Sequence, residues 1–222
     1  MNVPDFASRP QLAEDVARLI RRRIFDGTYP SGKFIRLEQL AAELGISVTP
    51  VREALFGLRA EGLLTQQPRR GFLVLPVTRR DIDDVAGVQA HIGGQLAARA
   101  AGQITDGQLD DLERVQRELE DAYAHNDHER AVRLNHAFHR GVNRAAESPK
   151  LAQLMSQITR YALESVYPTV EGWPEQSTHD HRRILAALKA RDQDAARAAM
   201  AEHLCAAAKP LSDHLERVGV LA

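Results

Sequence analysis

The amino-acid sequence predicts a mainly α-helical protein in which a small module of three helices and a hairpin precedes an all-helical bundle. The chain has 222 residues, enough for two domains of ordinary size. Aromatic residues make up only 5% of the chain while alanine and leucine are abundant, which favours helices over sheets. An apolar stretch ends at Pro76 and charged, helix-like sequence follows. We therefore place the two domains at residues 1–77 and 78–222.

Charge is distributed unevenly along the chain. Residues 1–78 carry 11 Lys and Arg against 8 Asp and Glu, a net charge of +3, whereas residues 79–222 carry 18 against 22, a net charge of −4. The overall net charge of −1 excludes a strongly basic nucleic-acid-binding tail and an acidic solvating chain. Only the first domain is therefore expected to meet a polyanion.

The single cysteine, Cys205, excludes an internal disulfide framework and a multi-cysteine zinc module. It lies among helical alanines and is expected to be a small buried apolar residue. The longest apolar runs are far too short to span a bilayer, and the first residues lack the apolar stretch of a secretory signal. We therefore expect a cytoplasmic protein with no membrane partner.

The first domain is predicted to contain three helices and then a hairpin. Apolar residues recur at helical spacing over residues 10–26, 37–44 and 48–61, and a glycine follows each run. Residues 63–75 have β-like sequence that is interrupted at residues 68–71, which is typical of a hairpin tip.

The second domain shows no comparable strand pattern. Thr105 with Gln108 has the spacing of a capping box, and Asp192 is a further candidate cap. The tripeptide 172–174 is expected to break the chain between two helices. The periodicity predicts about six helices, over residues 79–101, 105–124, 127–146, 149–166, 175–190 and 193–208.

The second and third helices of the first domain are joined by only three residues, which is helix-turn-helix spacing. Val51, Leu55 and Leu58 share one face of the third helix, and Arg52, Phe56 and Arg59 share another. The positive N-terminus of this helix can meet phosphates and base edges in a major groove, and the basic hairpin tip forms a wing suited to a minor groove. The alternative from periodicity alone is a three-helix module that only packs or dimerises.

The run Thr49-Pro50-Val51-Arg52-Glu53-Ala54-Leu55, with the preceding residues 37–48 and the later Arg70-Gly71-Phe72, closely resembles the winged-helix domain of GntR-family transcription regulators. In that family, arginines around the recognition helix and the wing glycine contact operator DNA. Val48 and Glu38 stand where many or some members have basic residues, so the operator sequence stays open. The residues expected to contact DNA are Arg36, Ser47, Thr49, Arg52, Arg59, Arg69, Arg70 and Gly71.

Histidines mark the second domain. Asn135 and His139 lie four residues apart, beside the apolar stripe of one predicted helix, while His181 and His203 fall on the apolar stripes of two others. Imidazoles that converge in an apolar interior need partners, and a divalent cation satisfies several at once. Taken singly, each histidine is more often a satisfied core residue than a ligand.

Residues 79–209 are similar to the ligand-binding domain of the FadR subfamily, the FCD domain. The runs that carry this resemblance are 135–139, 180–184 and 195–204. The resemblance implies a divalent metal (zinc, nickel or manganese) held by Asn135, His139, His181 and His203. Aspartate is the commoner first ligand in the family, and the neutral amide of Asn135 removes one negative charge while keeping an oxygen donor.

The first helix of the second domain departs further from the family. Many members carry an arginine and, four residues on, a glutamate, where this chain has Gln89 and Gly93. Gln89, His91 and Gln95 lie on or beside the apolar stripe Val85, Val88, Ile92, Leu96, and they are candidates to line an altered effector pocket. The alternative is ordinary polar packing between helices.

These features predict a metabolite-responsive, homodimeric, DNA-binding transcription regulator. We expect a repressor that leaves a palindromic operator on double-stranded DNA when a small carboxylate metabolite completes the metal's coordination sphere. One alternative is a metal-sensing regulator. A metal-dependent hydrolytic enzyme is less favoured, because it would need a nearby general base and Glu202, the acidic neighbour of His203 in sequence, lies about 100° around the helix.

Overall fold

The computed structural model describes residues 9–161 and 167–221. Contacts divide the chain into two compact units: the described residues up to Arg79 together with those from Leu215 onward, and Arg80–His214. The predicted fold class, a winged helix-turn-helix followed by a helical bundle, is confirmed. The division differs from the predicted one at the end of the chain, because residues from 215 onward pack with the first unit.

The first unit combines three helices with a small antiparallel sheet in the strand order β1-β3-β2. The strand β1 was not predicted, since two residues are too short to show a period-2 pattern. The β2–β3 hairpin pairs Gln67 with Gly71 next to its tip, as the hairpin prediction required. The elements are α1 (Arg9–Phe25), β1 (Phe34–Ile35), α2 (Leu37–Leu44), α3 (Val48–Ala60), β2 (Leu64–Gln67) and β3 (Gly71–Val74).

The end of the chain completes this unit. Leu221 forms a parallel bridge with Val77, and the side chains of Leu215 and Val220 are buried. The Val218 carbonyl lies 3.1 Å from the position that a Cβ atom on Gly27 would occupy. These contacts make the last residues part of the core and sheet margin of the first unit.

The second unit is built entirely from helices over its described residues. The predicted capping box of Thr105 with Gln108 is confirmed, and Asp192 caps α9 through its side chain as predicted. Short 3₁₀ turns occupy Thr159–Tyr161 and Tyr167–Thr169. The helices are α4 (Arg79–Gln103), α5 (Asp106–Ala124), α6 (His128–Ala145), α7 (Pro149–Ile158), α8 (Trp173–Lys189), α9 (Gln193–Ala206) and α10 (Ala208–Arg217).

Several predicted details of the second unit were wrong. The helix α8 already begins at Trp173, because Pro174 sits in the first turn, where its missing N–H costs nothing. The helix α10 was not predicted, and Cys205 is exposed rather than buried. The helix α7 ends at Ile158, and the last residues of its predicted range, 162–166, lie outside the described residues.

The buried face of α4 is also rotated from the predicted stripe. Val88 is 49% exposed, while Gln89, Gly93 and Gly94 are buried. The glycines allow α9 to approach closely: a Cβ on Gly93 would collide with the Leu204 side chain, and one on Gly94 would lie 3.0 Å from the Arg197 carbonyl. Over the described residues, no helix combines the length and apolarity that a membrane-spanning segment needs.

Candidate DNA-binding surface and metal centre

The helix α3 presents two chemically distinct faces. Val51, Leu55 and Leu58 are fully buried, as the periodicity predicted. Arg52 and Arg59 are exposed on the other side. Ser47 occupies the N-cap position, but its side chain makes no capping hydrogen bond, so the hydroxyl is not used up within the helix. The exposed N-terminus of α3 therefore combines the positive end of a helix dipole with hydroxyl and guanidinium donors.

An ion pair that the sequence did not reveal holds the far end of α3. The Arg21 guanidinium on α1 makes two hydrogen bonds to Glu61, at 3.0 and 2.9 Å. Their side chains are 9% and 15% exposed, so water screens the pair little. This contact joins residues 40 positions apart and anchors the C-terminal end of α3 on α1.

The wing is formed by the β2–β3 hairpin. Arg69 at its tip has a left-handed backbone, with φ of 62°. The Arg70 guanidinium lies 4.2 Å from the centre of the Phe34 ring, and Arg59 stacks on Phe56 while donating to Gln66. Arg59 and Arg70 are thus partly engaged within the unit, whereas Arg69 projects from the tip.

The backbone conformation and the packing of the first unit require a glycine at position 71. Its φ is 104°, and a Cβ there would lie 2.5 Å from the Ile35 carbonyl oxygen and 3.5 Å from the Arg36 Cα. The sequence-based interpretation gave this residue a close approach to DNA, yet the backbone of the sheet itself requires it. The same closeness places the Arg36 backbone beside the tip of the wing. The predicted contact residues that are exposed are Arg36, Ser47, Thr49, Arg52, Arg59, Arg69 and Arg70.

The second unit brings three histidines from three helices together. His139 on α6, His181 on α8 and His203 on α9 have ring centroids 4.8–5.2 Å apart. One ring nitrogen from each lies within 4.8 Å of the others. His181 and His203 are buried and His139 is partly buried. Phe138 stacks on His181 at 4.0 Å, which closes the cluster on one side.

Two side chains that the sequence did not single out contact the outer nitrogens of these rings. Gln116 Oε1 lies 2.8 Å from His181 Nδ1, and Asp180 Oδ2 lies 3.3 Å from His203 Nδ1. Burial alone would raise the pKa of Asp180, but hydrogen bonds from His203 and Gln176 outweigh it and lower that pKa. The signal that could have found Asp180 is its position directly before His181; Gln116 lies 65 residues away and carries no such signal.

The chemistry of this cluster fits a bound cation. Burial lowers the pKa of both His139 and His181 well below the ordinary value, and the charges of neighbouring histidines lower each further. These rings are therefore neutral near pH 7 and keep a lone pair for a metal. His181 Nε2 is buried and has no hydrogen-bond partner among the described residues. A divalent ion would satisfy this orphaned atom.

The remaining predicted residues lie at different distances from this centre. Asn135 is partly buried, one helical turn before His139 on α6. Gln89 is buried and donates to the Ile158 carbonyl, while Gln95 is partly buried and His91 is exposed. Gln89 also lines a small cavity together with Tyr167 and Leu204, and Leu204 directly follows His203. His91 and Gln95 are not among the residues that line this cavity.

Comparisons with known proteins cover both units. The family model "Bacterial regulatory proteins, gntR family" matches residues 12–74, and the model "FCD domain" matches residues 84–206. The HTH-type transcriptional regulator McbR of Escherichia coli is 26% identical over 190 residues, covering 82% of this chain and 85% of McbR. The HTH-type transcriptional repressor RspR of E. coli is 25% identical over 198 residues, covering 86% and 85%.

A solved structure of E. coli McbR/YncC superposes with a TM-score of 0.72 at 25% identity, covering 91% of this chain and 97% of that one. The likeness therefore extends over nearly the whole chain and includes both units.

Proposed function

The chain belongs to the gntR family of bacterial regulatory proteins with an FCD domain and is a DNA-binding transcription regulator; we propose that it is a repressor released from its operator by a small carboxylate bound at a metal in the histidine cluster. The observation that carries this proposal is the convergence of His139, His181 and His203 in the FCD domain. The family and the similar proteins are regulators and not enzymes, so the hydrolytic alternative is not retained.

The operator is contacted by the N-terminal half of α3 and by the wing. Arg52 is exposed one turn from the start of α3, where a guanidinium can reach a base edge or phosphate of the major groove. Arg36 beside the tip of the wing and Arg69 at the tip itself supply phosphate contacts. A homodimer on a palindromic site doubles these contacts, because one module with a net charge of +3 binds weakly alone.

Arg52→Ala is expected to weaken operator binding about tenfold or more, since a good arginine–base contact is worth about 1–3 kcal/mol. The matched control is Arg117→Ala, which removes an exposed arginine from the second unit. Gel-shift titration of both variants at one salt concentration measures the effect. Equal affinities for the two variants would contradict the assignment of α3 as the recognition helix.

The residues that would hold the metal are His139, His181 and His203, with Asn135 as an oxygen donor. Zinc, nickel or manganese suits this set of ligands. Zinc–nitrogen distances of about 2.1 Å place ligand nitrogens up to roughly 4 Å apart, so small side-chain rotations would bring these rings onto one ion. When bound, the metal supplies a Lewis acid to which a carboxylate can coordinate.

The effector is proposed to be a small organic acid whose body occupies the space beside Gln89. The family's arginine is absent at this position, so the metal is left as the main anchor for a carboxylate. Gln95 on the same helix is a further candidate contact, whereas the exposure of His91 argues against a direct role for it.

A thermal-shift screen of small carboxylic acids, amino acids and sugar acids on metal-loaded protein tests this function. We expect a hit to raise the melting temperature and to release operator DNA in a gel shift. The metal-sensing alternative makes a different prediction: titration with metal alone changes operator affinity. A screen in which no acid shifts the protein while metal alone releases DNA would favour that alternative.

A further inference from the structure

The His181 ring is connected to the surface of the bundle by three polar side chains. Gln116, which is almost fully buried, lies 2.8 Å from His181 Nδ1 through its amide oxygen and donates through Nε2 to Glu120 at 3.0 Å. Glu120 accepts two further hydrogen bonds from the Arg182 guanidinium, at 3.0 and 2.7 Å. Arg182 is exposed, so the chain of hydrogen bonds runs from the interior to solvent.

Each of these hydrogen bonds can run in only one direction. The hydrogen bond from Arg182 lowers the pKa of Glu120, so its carboxylate is ionised and can only accept. Gln116 must therefore present its NH₂ group to Glu120, and its oxygen faces His181. Because that oxygen can only accept, Nδ1 of His181 must carry a proton, and the buried Nε2, which has no acceptor among the described residues, carries the lone pair.

We propose that Gln116, locked by the Glu120–Arg182 ion pair, is a positioning residue that holds His181 in the Nδ1–H tautomer and so frees its Nε2 lone pair for an ion shared with His139 and His203. The metal-binding role of this arrangement rests on the proposed metal site, whereas the His181 tautomer is a property of the metal-free protein. The orphaned, buried Nε2 agrees with it, because the opposite tautomer would bury an N–H donor without an acceptor.

Long-range proton–nitrogen correlation spectra of the metal-free protein, labelled with ¹⁵N-histidine, report the tautomer directly. We expect His181 to show a protonated Nδ1 and an unprotonated Nε2 in the wild-type chain at pH 7. A second readout is zinc affinity, measured by competition with a coloured chelator.

Three variants test the direction of the hydrogen bonds rather than their mere presence. Glu120→Gln replaces the obligate acceptor by an amide, so Gln116 can turn over and His181 populates both tautomers. We expect zinc affinity to fall about 10–100-fold, the usual cost of losing an outer partner of a metal ligand.

The double variant Gln116→Glu, Glu120→Gln restores a single direction of hydrogen bonding. The carboxylate at 116 accepts from His181 and from the amide at 120, and the oxygen of that amide accepts from Arg182. The control Glu118→Gln changes a partly exposed carboxylate on the same helix, which pairs with Arg114.

The proposal predicts that the double variant recovers both the tautomer and the zinc affinity, while Glu118→Gln alters neither. A simple space-filling role for Gln116 predicts no such recovery. A wild-type His181 protonated on Nε2, or a folded double variant that fails to regain the Nδ1–H form, overturns the proposal. If the tautomers follow the prediction but neither the wild-type protein nor any variant binds zinc, the proposed metal site is contradicted and the role of Gln116 in positioning the His181 ring stands.

Discussion

His181→Ala is expected to abolish stoichiometric binding of the proposed metal and with it the stabilisation that this metal would provide. His181 is fully buried, contacts both other histidines and contributes the orphaned Nε2. Loss of a ligand should cost more than the roughly 10–100-fold penalty typical of outer contacts. A ligand present at about 100 to 1,000 times its Kd stabilises the folded state by about 2.7–4.1 kcal/mol, and this increment should vanish.

The measurement is the difference in melting temperature between metal-loaded and chelated protein, together with elemental analysis. Because alanine at a buried site also leaves a cavity, the increment with metal is the informative quantity rather than the absolute melting temperature. His179→Ala is the matched control, since His179 lies two residues earlier on α8 and is exposed. Full metal content in His181→Ala would remove this residue from the site.

Gly71→Ala is expected to destabilise the first unit by about 2–3 kcal/mol and to weaken operator binding. Alanine is strained at a φ of 104°, and its Cβ would lie only 2.5 Å from the Ile35 carbonyl oxygen. That carbonyl belongs to the strand paired with β3, so the strain can be relieved only by separating β1 from the wing. For a unit of this size, each kcal/mol lowers the melting temperature by about 4–8 °C.

Gly57→Ala provides the comparison for this variant. Gly57 lies inside α3, and a Cβ there would meet nothing within 4 Å. Alanine should raise stability at that position by up to about 1 kcal/mol, because glycine is a poor helix former. Thermal unfolding and hydrogen exchange of the full chain distinguish the two. A melting temperature unchanged by Gly71→Ala would contradict the strain argument.

Local patterns predicted the parts of the structure that depend on one helix at a time. The buried face of α3 and the placement of His139, His181 and His203 on inward stripes follow from spacing, because a helix repeats its faces every 3.6 residues. The orientation of α4 did not follow, since periodicity counts Val88 as apolar and Gly93 as neutral. The close approach of α9 at Gly93 makes the glycine side of α4 the buried one, and the hydropathy pattern of α4 alone does not record which side a neighbouring helix covers.

The polar partners of the candidate sites were hidden for the same reason. Gln116 and Glu120 look like ordinary polar positions of an amphipathic helix, and Arg21 like one of three consecutive arginines. Each contacts a partner far away in sequence: Gln116 contacts a histidine 65 positions away, Glu120 an arginine 62 positions away, and Arg21 a glutamate 40 positions away. The family resemblance indicated the candidate ligand positions of the histidines, whereas the side chains that orient those histidines are defined only by contacts in the folded chain.

The bridge between Val77 and Leu221 means that the DNA-reading unit is assembled from two stretches of the chain that lie far apart in sequence. The ribosome must therefore synthesise residues 215–221 before this unit can complete its core, and a fragment cut near residue 79 would expose Val77 and lose Leu215 and Val220. A reporter or affinity tag fused after Ala222 would likewise be attached to the DNA-binding unit and not to the helical bundle.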